Sequence, residues 1–143
     1  MARDAGYSGT PLPAKLGIRD GSRVAAVHVP PDLAGTVAAF PGEHVAPDGG
    51  DLDVALVFAT DLAELSARFA PLAARLATAG ALWVAWPKRA AKVTTDLNEN
   101  VVREVGLGAG LVDTKVCAIS ETWSGLRFVY RLRDRPARAR PAG

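Results

Sequence analysis

The stretch VALVFATDLAELSARFAPLAARLATAGALWVAW, residues 54–86, decides the fold. It opens on one uninterrupted apolar run, Val54 to Ala59, and closes on another, Ala81 to Trp86. Both have the length of a strand and lack the polar alternation of a half-exposed one, as expected when both faces are covered. Between them Asp61 reads as a helix N-cap with Glu64 three positions on, a capping-box arrangement. Leu62, Leu65, Phe69, Leu72 and Leu76 then recur at intervals of three and four, the stripe of a core-facing helix. Pro71 falls inside that stripe and predicts a kink, or a division into two short helices. Gly80 ends the segment. Strands joined through a helix run parallel, so this stretch is the centre of a parallel sheet.

The flanks extend the pattern. Upstream, Arg23 to Val29 is a first strand, Asp32 to Phe40 a short, weak helix carrying Gly35, and a minimal second strand lies near His44 and Val45. Residues 1–22 form a lead-in: Thr10 and Pro11 open a short helix that Gly17 closes, and Leu12, Leu16 and Ile18 pin it to the domain. Downstream, Asp96 and Glu99 repeat the capping pattern before the stripe Leu97, Val101, Val102 and Val105. Leu111 to Ile119 is a strand, the turn runs from Glu121 to Gly125, and Leu126 to Leu132 is the last strand. No crossover helix fits between these two, so they form an antiparallel hairpin. The fold class is therefore α/β: a single, doubly wound, mostly parallel Rossmann-like sheet over residues 23–133 with a C-terminal antiparallel hairpin.

Composition bounds the function. With 143 residues, 49% hydrophobic and 22% charged, the chain is one domain with a real core. No apolar run approaches the roughly 18 residues of a membrane span. The opening MARDAGYSGTPLP has no apolar signal core, and Cys117 is the single cysteine, so a cytoplasmic protein is expected. Cys117 lies in a strand-like run and reads as packing. The net charge is only +2, and much of the basic excess sits at Arg131, Arg133, Arg135, Arg138 and Arg140. Residues 134–143 read as a disordered, solvated basic tail, and without aromatic partners these arginines argue against nucleic-acid binding. His28 and His44, the only histidines, have no nearby carboxylate at metal-ligand spacing. No serine sits in a G-x-S-x-G elbow.

Strands alternating with helices over about residues 23–132, then a terminal hairpin, resemble the class I methyltransferase variant of the doubly wound fold. The resemblance implies a last strand inserted antiparallel, a strand order of 2-1-3-4-6-5, and a sheet shortened by one strand. It also implies a glycine-rich turn after the first strand, whose backbone N–H groups would reach a cofactor. This chain has VAAVHVPPDLAG there, residues 24–35, and Pro30 and Pro31 offer no N–H. Asp48 falls roughly where the family's ribose-binding acid would lie, but its Pro/Gly surroundings make it a turn former. The runs LWVAWPKRAAKVTTDLNENVVRE (82–104) and GLVDTKVCAISETWSGLRFVYRL (110–132), with GYSGTPLPAKLGI (6–18), are similar to a small bacterial family of unknown function.

Ligands of open α/β sheets bind beyond the carboxyl ends of the strands. That edge collects His28, Thr60, Asp61, Trp86, Lys88 and the turn with Glu121 and Trp123. The candidate site comprises Trp86, Lys88, Lys92, Asp96, Asn98, Asn100 and Trp123. Two exposed indoles beside cations and amides suit a planar or anionic ligand, by stacking and charge-assisted hydrogen bonds. The competing reading makes Asp96 and Glu99 simple caps and Trp123 a plug for the hairpin. Lys88, just past a strand, reads as a solvated amine and not a catalytic one. Because the cofactor turn is missing, the expected function is a non-catalytic binding or regulatory module on a degenerate scaffold, with no cofactor. The alternative is a small enzyme, an S-adenosylmethionine-dependent methyltransferase with an altered cofactor site. A protein partner and a homodimer stay open.

Overall fold

A computed structural model describes residues 10–134. Its strands are β1 (Arg23–Val27), β2 (Glu43–His44), β3 (Leu52–Phe58), β4 (Leu76–Pro87), β5 (Leu111–Ala118) and β6 (Trp123–Tyr130); its helices are α1 (Leu12–Leu16), α2 (Ala34–Ala38), α3 (Leu62–Ala73) and α4 (Glu99–Gly108). They form one six-stranded sheet in the order β2-β1-β3-β4-β6-β5, the order the resemblance implied. β2, β1, β3 and β4 run parallel, and β6 is antiparallel to both β4 and β5. The chain leaves β1 for β2 on one side and returns to β3 on the other, so the topological switch point lies between β1 and β3.

Each face of the sheet has its own core. On one, Leu65, Phe69 and Leu72 of α3 and Val102 of α4 pack with Val84, Trp86, Leu126 and Phe128. On the other, Leu16 and Ile18 of the lead-in and Val37 and Phe40 of the α2 segment pack with Leu56, Phe58, Trp83 and Trp123. Trp83 is fully buried there, and its indole N–H donates to Leu16 O at 3.1 Å. That bond satisfies the one polar atom of the side chain and ties the lead-in to the domain.

The crossover from β3 to β4 differs from the expected stripe. α3 is one continuous helix that ends two residues after Pro71. Pro71 has no N–H for Ala67 O, but only two helical residues follow it, so the missing bond falls at the end of the helix and does not divide it. Leu76 belongs to β4: Arg75 O already accepts the Leu52 N–H, and Leu76 pairs with Leu52. Leu62, at the first helical position, is 38% exposed and outside the core. Gly80 is interior to β4, beside a register shift at Leu52/Val54. A Cβ there would lie 2.4 Å from Leu52 O, so the bulge demands glycine.

Asp96 does not cap the helix that follows it. Asn98 is the N-cap of α4, accepting from the Val101 N–H at 2.9 Å. Asp96 Oδ1 accepts the Leu62 N–H at 2.8 Å and so caps α3 from the next crossover. Asp61 caps α3 as expected, accepting from Glu64 N at 2.7 Å. No helix among the described residues is long and apolar enough to cross a membrane. The expectation of a disordered tail falls almost entirely on residues outside those described.

Candidate functional site

The pleat of β4 and β6 decides what the carboxyl edge can assemble. Trp86 pairs with Ser124 and Pro87 with Trp123, so the two tryptophans fall on opposite faces of the sheet. Trp86 belongs to the core under α3 and α4, and Trp123 to the core under α1 and α2. Their exposures are 6% and 8%, so the expected pair of exposed indoles is corrected: both are buried. Trp123 packs edge-on against Phe58, ring centroids 5.1 Å apart at 88°. It is the hairpin plug.

A cleft of about 510 Å³ remains on the Trp86 face, where the end of β4 meets the start of α4. Trp86, Lys88, Asp96 and Asn98 line it, together with Arg89, Glu99 and Ser124. Trp123, Lys92 and Asn100 do not. Lys92 closes a short 3-10 turn in the left-handed conformation (φ 57°), and the Asn100 side-chain Oδ1 accepts from Arg103 Nη1 at 2.9 Å. The loop is held over the edge by Thr95, which donates its hydroxyl to Thr60 O at 2.5 Å and accepts the Leu97 N–H at 3.0 Å. From the hairpin side, the Lys88 N–H donates to Thr122 O at 2.8 Å.

The charges in this cleft are unequal in their freedom. Glu99 is paired with Arg103, and Asp96 is occupied in capping α3. Lys88 is half-buried and Arg89 exposed, and neither side chain has an ionic partner among the described residues. The cleft therefore offers two cations to whatever enters it.

A second constellation stands at the switch point, where sequence reasoning saw only a lone histidine. His28, with φ 60°, places Nδ1 at 3.1 Å from Glu64 Oε2, which also meets Arg68 Nη1 at 3.1 Å. Arg68 Nη2 lies 2.6 Å from His28 Nε2. Guanidinium can only donate, so Nε2 accepts and the ring proton sits on Nδ1, toward Glu64. The signal was present in part: Glu64 and Arg68 are four apart on one helix face. What the sequence could not show is that α3 starts beside the end of β1. No group of three or more potential metal ligands exists among the described residues. Cys117 is half-buried, and burial pushes its thiol pKa up, with Lys15 and Lys115 pulling the other way.

No family model matches this chain, and no curated protein matches it in sequence. Solved structures do match in shape. The magnesium protoporphyrin IX methyltransferase of Synechocystis PCC 6803, crystallised with bound SAM, aligns at a TM-score of 0.54 with 14% identity, over 84% of this chain and 74% of that one. The precorrin-6y C5,15-methyltransferase of Geobacter metallireducens GS-15 aligns at 0.51 and 13%, over 84% and 86%. An O-methyltransferase from neocarzinostatin biosynthesis, in complex with S-adenosylmethionine and a naphthoic acid, aligns at 0.54 and 12%. This chain covers 77% of its own length in that match but spans only about half, 49%, of the larger enzyme. The fold is that of the class I methyltransferases. At these identities the likeness carries the fold and no residue role.

Proposed function

We propose that this protein binds a small anionic ligand with a flat body in the cleft between the end of β4 and the start of α4. The observation that carries the reading is the imbalance there: Asp96 and Glu99 are engaged by the protein itself, whereas Lys88 and Arg89 are not. Charge-assisted bonds from these two cations would fix the anion, and Trp86 and Pro87 in the cleft wall would meet its apolar body. The test is a calorimetric and thermal-shift screen of aromatic carboxylates and nucleotides against the wild type and Lys88→Ala/Arg89→Ala. Saturable binding that the double variant loses supports the reading; equal binding by both proteins refutes it.

A second reading is S-adenosylmethionine-dependent methyl transfer through an altered cofactor site, and the fold comparisons favour it: the three similar structures described above are methyltransferases. The turn after β1 does not fit the fold's usual contacts. Pro30 and Pro31 have no N–H, and the N–H groups of Leu33 and Ala34 are spent on Pro30 O and Pro31 O. The Glu64–Arg68 pair also reaches across the switch point to His28. S-adenosylmethionine would need donors other than that turn. Calorimetry with S-adenosylmethionine separates the readings: affinity weaker than roughly millimolar, about −4 kcal/mol, leaves the binding module, and micromolar affinity favours the enzyme over it.

A further inference from the structure

The helical residues that cover the first face of the sheet belong to α3 and α4, and toward β1 and β2 that cover runs out. Val27 and Val45, on that side of the core, are only half-buried. Between the flank of α3 and the turn after β2 lies a hollow of about 300 Å³. Its apolar wall is made by Val27, Pro47, Pro71 and Leu72. It shares no residue with the β4 cleft, and the Pro30–Pro31 turn is not in its wall.

Two opposite charges line this hollow, Asp48 from the turn after β2 and Arg75 from the link between α3 and β4. Neither side chain has an ionic partner among the described residues, and no ion pair joins them to one another. Their backbones are anchored separately. Arg75 O accepts the Leu52 N–H at 2.9 Å, and the Arg75 N–H donates to Leu72 O at 3.0 Å. The turn that carries Asp48 is closed by the Gly49 N–H on Ala46 O at 2.9 Å, and Arg23 Nη2 reaches Gly50 O at 3.4 Å. A third polar group comes from the kink-forming residue: Pro71 has no N–H for Ala67 O, and Ala67 lines the same hollow. Arg68 also lines it, but Glu64 and His28 hold that guanidinium, which leaves Arg75 as the cation for a ligand.

We infer that this hollow binds a free α-amino acid with an apolar side chain. Arg75 takes the carboxylate, Asp48 and Ala67 O accept from the ammonium, and the apolar wall covers the side chain. A plain carboxylate leaves Asp48 facing it without a donor, and a plain amine leaves Arg75 without an acceptor, so the site selects the zwitterion. The site stands independently of any function placed in the β4 cleft.

The test uses L-leucine and L-phenylalanine as probes, with 4-methylpentanoate and 3-methylbutylamine as analogues that each lack one charge. Calorimetry and amide shifts are recorded on the full chain, on Arg75→Gln and on Asp48→Asn; both residues are exposed, so the variants should melt like the wild type. At least one amino acid should bind saturably, with shifts around Val27, Asp48 and Leu72. Each variant and each analogue should weaken binding at least tenfold. The inference is overturned if neither amino acid saturates, if either variant binds as well as the wild type, or if 4-methylpentanoate binds as tightly as L-leucine. Shifts centred on Lys88 overturn it too, as does self-association that Arg75→Gln abolishes while neither amino acid binds, which would make a second copy the occupant.

Discussion

Trp86 and Trp123 sit at the same edge of the same sheet, one register step apart on paired strands, and they do different things. Trp86 lies under α3 and α4 and lines a cleft; Trp123 lies under α1 and α2, locked edge-on to Phe58. The helices over the first face span 12 and 10 residues, and those over the second only 5 each. Where the cover is long, the loop that enters α4 can overhang the edge and form a cleft. Where it is short, large aromatic side chains must fill the space that helices leave.

The sharpest way to break this comparison is Trp123→Ala. It should cost about 3 kcal/mol or more, from the lost ring and the cavity left behind, and lower Tm by on the order of 10 °C. Binding to the β4 cleft by the folded protein should stay within twofold of wild type. Calorimetry showing a large loss of affinity in a stable variant would put Trp123 back in the site.

A smaller effect tests the tightness of the long-helix face. A Cβ at Gly106 of α4 would meet the Phe128 ring at 2.0 Å, whereas one at Gly35 of α2 would meet nothing within 4 Å. Gly106→Ala should therefore destabilise by about 2 kcal/mol through overpacking. Gly35→Ala should stabilise by about 0.5 kcal/mol through helix propensity. Denaturant midpoints for the pair check the sign of each, and equal signs would mean the two faces are packed alike.

Asp96→Ala should cost about 1 kcal/mol, the usual worth of a lost cap. If Asp96 caps α3 and not α4, hydrogen exchange should quicken at the first turn of α3, around Leu62, and stay unchanged at Val101. The smallest effect concerns Cys117. Burial raises its pKa, so less thiolate is present at a given pH and alkylation should run slower than for free cysteine, rising only at higher pH. The linked stability is fully present below the ordinary thiol pKa and is lost as pH rises through the folded one. A rate profile matching free cysteine would show the thiol to be exposed.

The parallel centre and the terminal hairpin were legible because three signals agreed: apolar runs at Val54 and Ala81, a helix between them, and a final pair of strands too close for a crossover; the full order, with β6 inserted beside β4, was what the family resemblance implied. Boundaries read less well where one residue type serves two elements. Leu76 continues the spacing of α3, yet its backbone is claimed by Leu52 of a neighbouring strand, a contact with no local trace. Asp96 and Glu99 have the spacing of a cap, but Asn98 takes that place and Asp96 serves a helix 34 residues away. The site suffered most from the pleat. Trp86 and Trp123 come together in any reading that places residues at an edge. Only the register, with Trp86 opposite Ser124, reveals that they face apart. The His28–Glu64–Arg68 contacts likewise depend on how close α3 begins to the end of β1.

The position of β6 has a consequence for how this protein is made. It leaves the ribosome after β1 to β5 and yet it lies inside the sheet, between β4 and β5. Until residues 123–130 are available, β4 is an unguarded rim, with Trp83, Val84 and Ala85 along a row of unpaired N–H and C=O groups. Order of manufacture thus runs against order of assembly, and the nascent chain passes through a stage in which its stickiest segment is its outermost. A chaperone that shields nascent chains would find its target in that WVAW run.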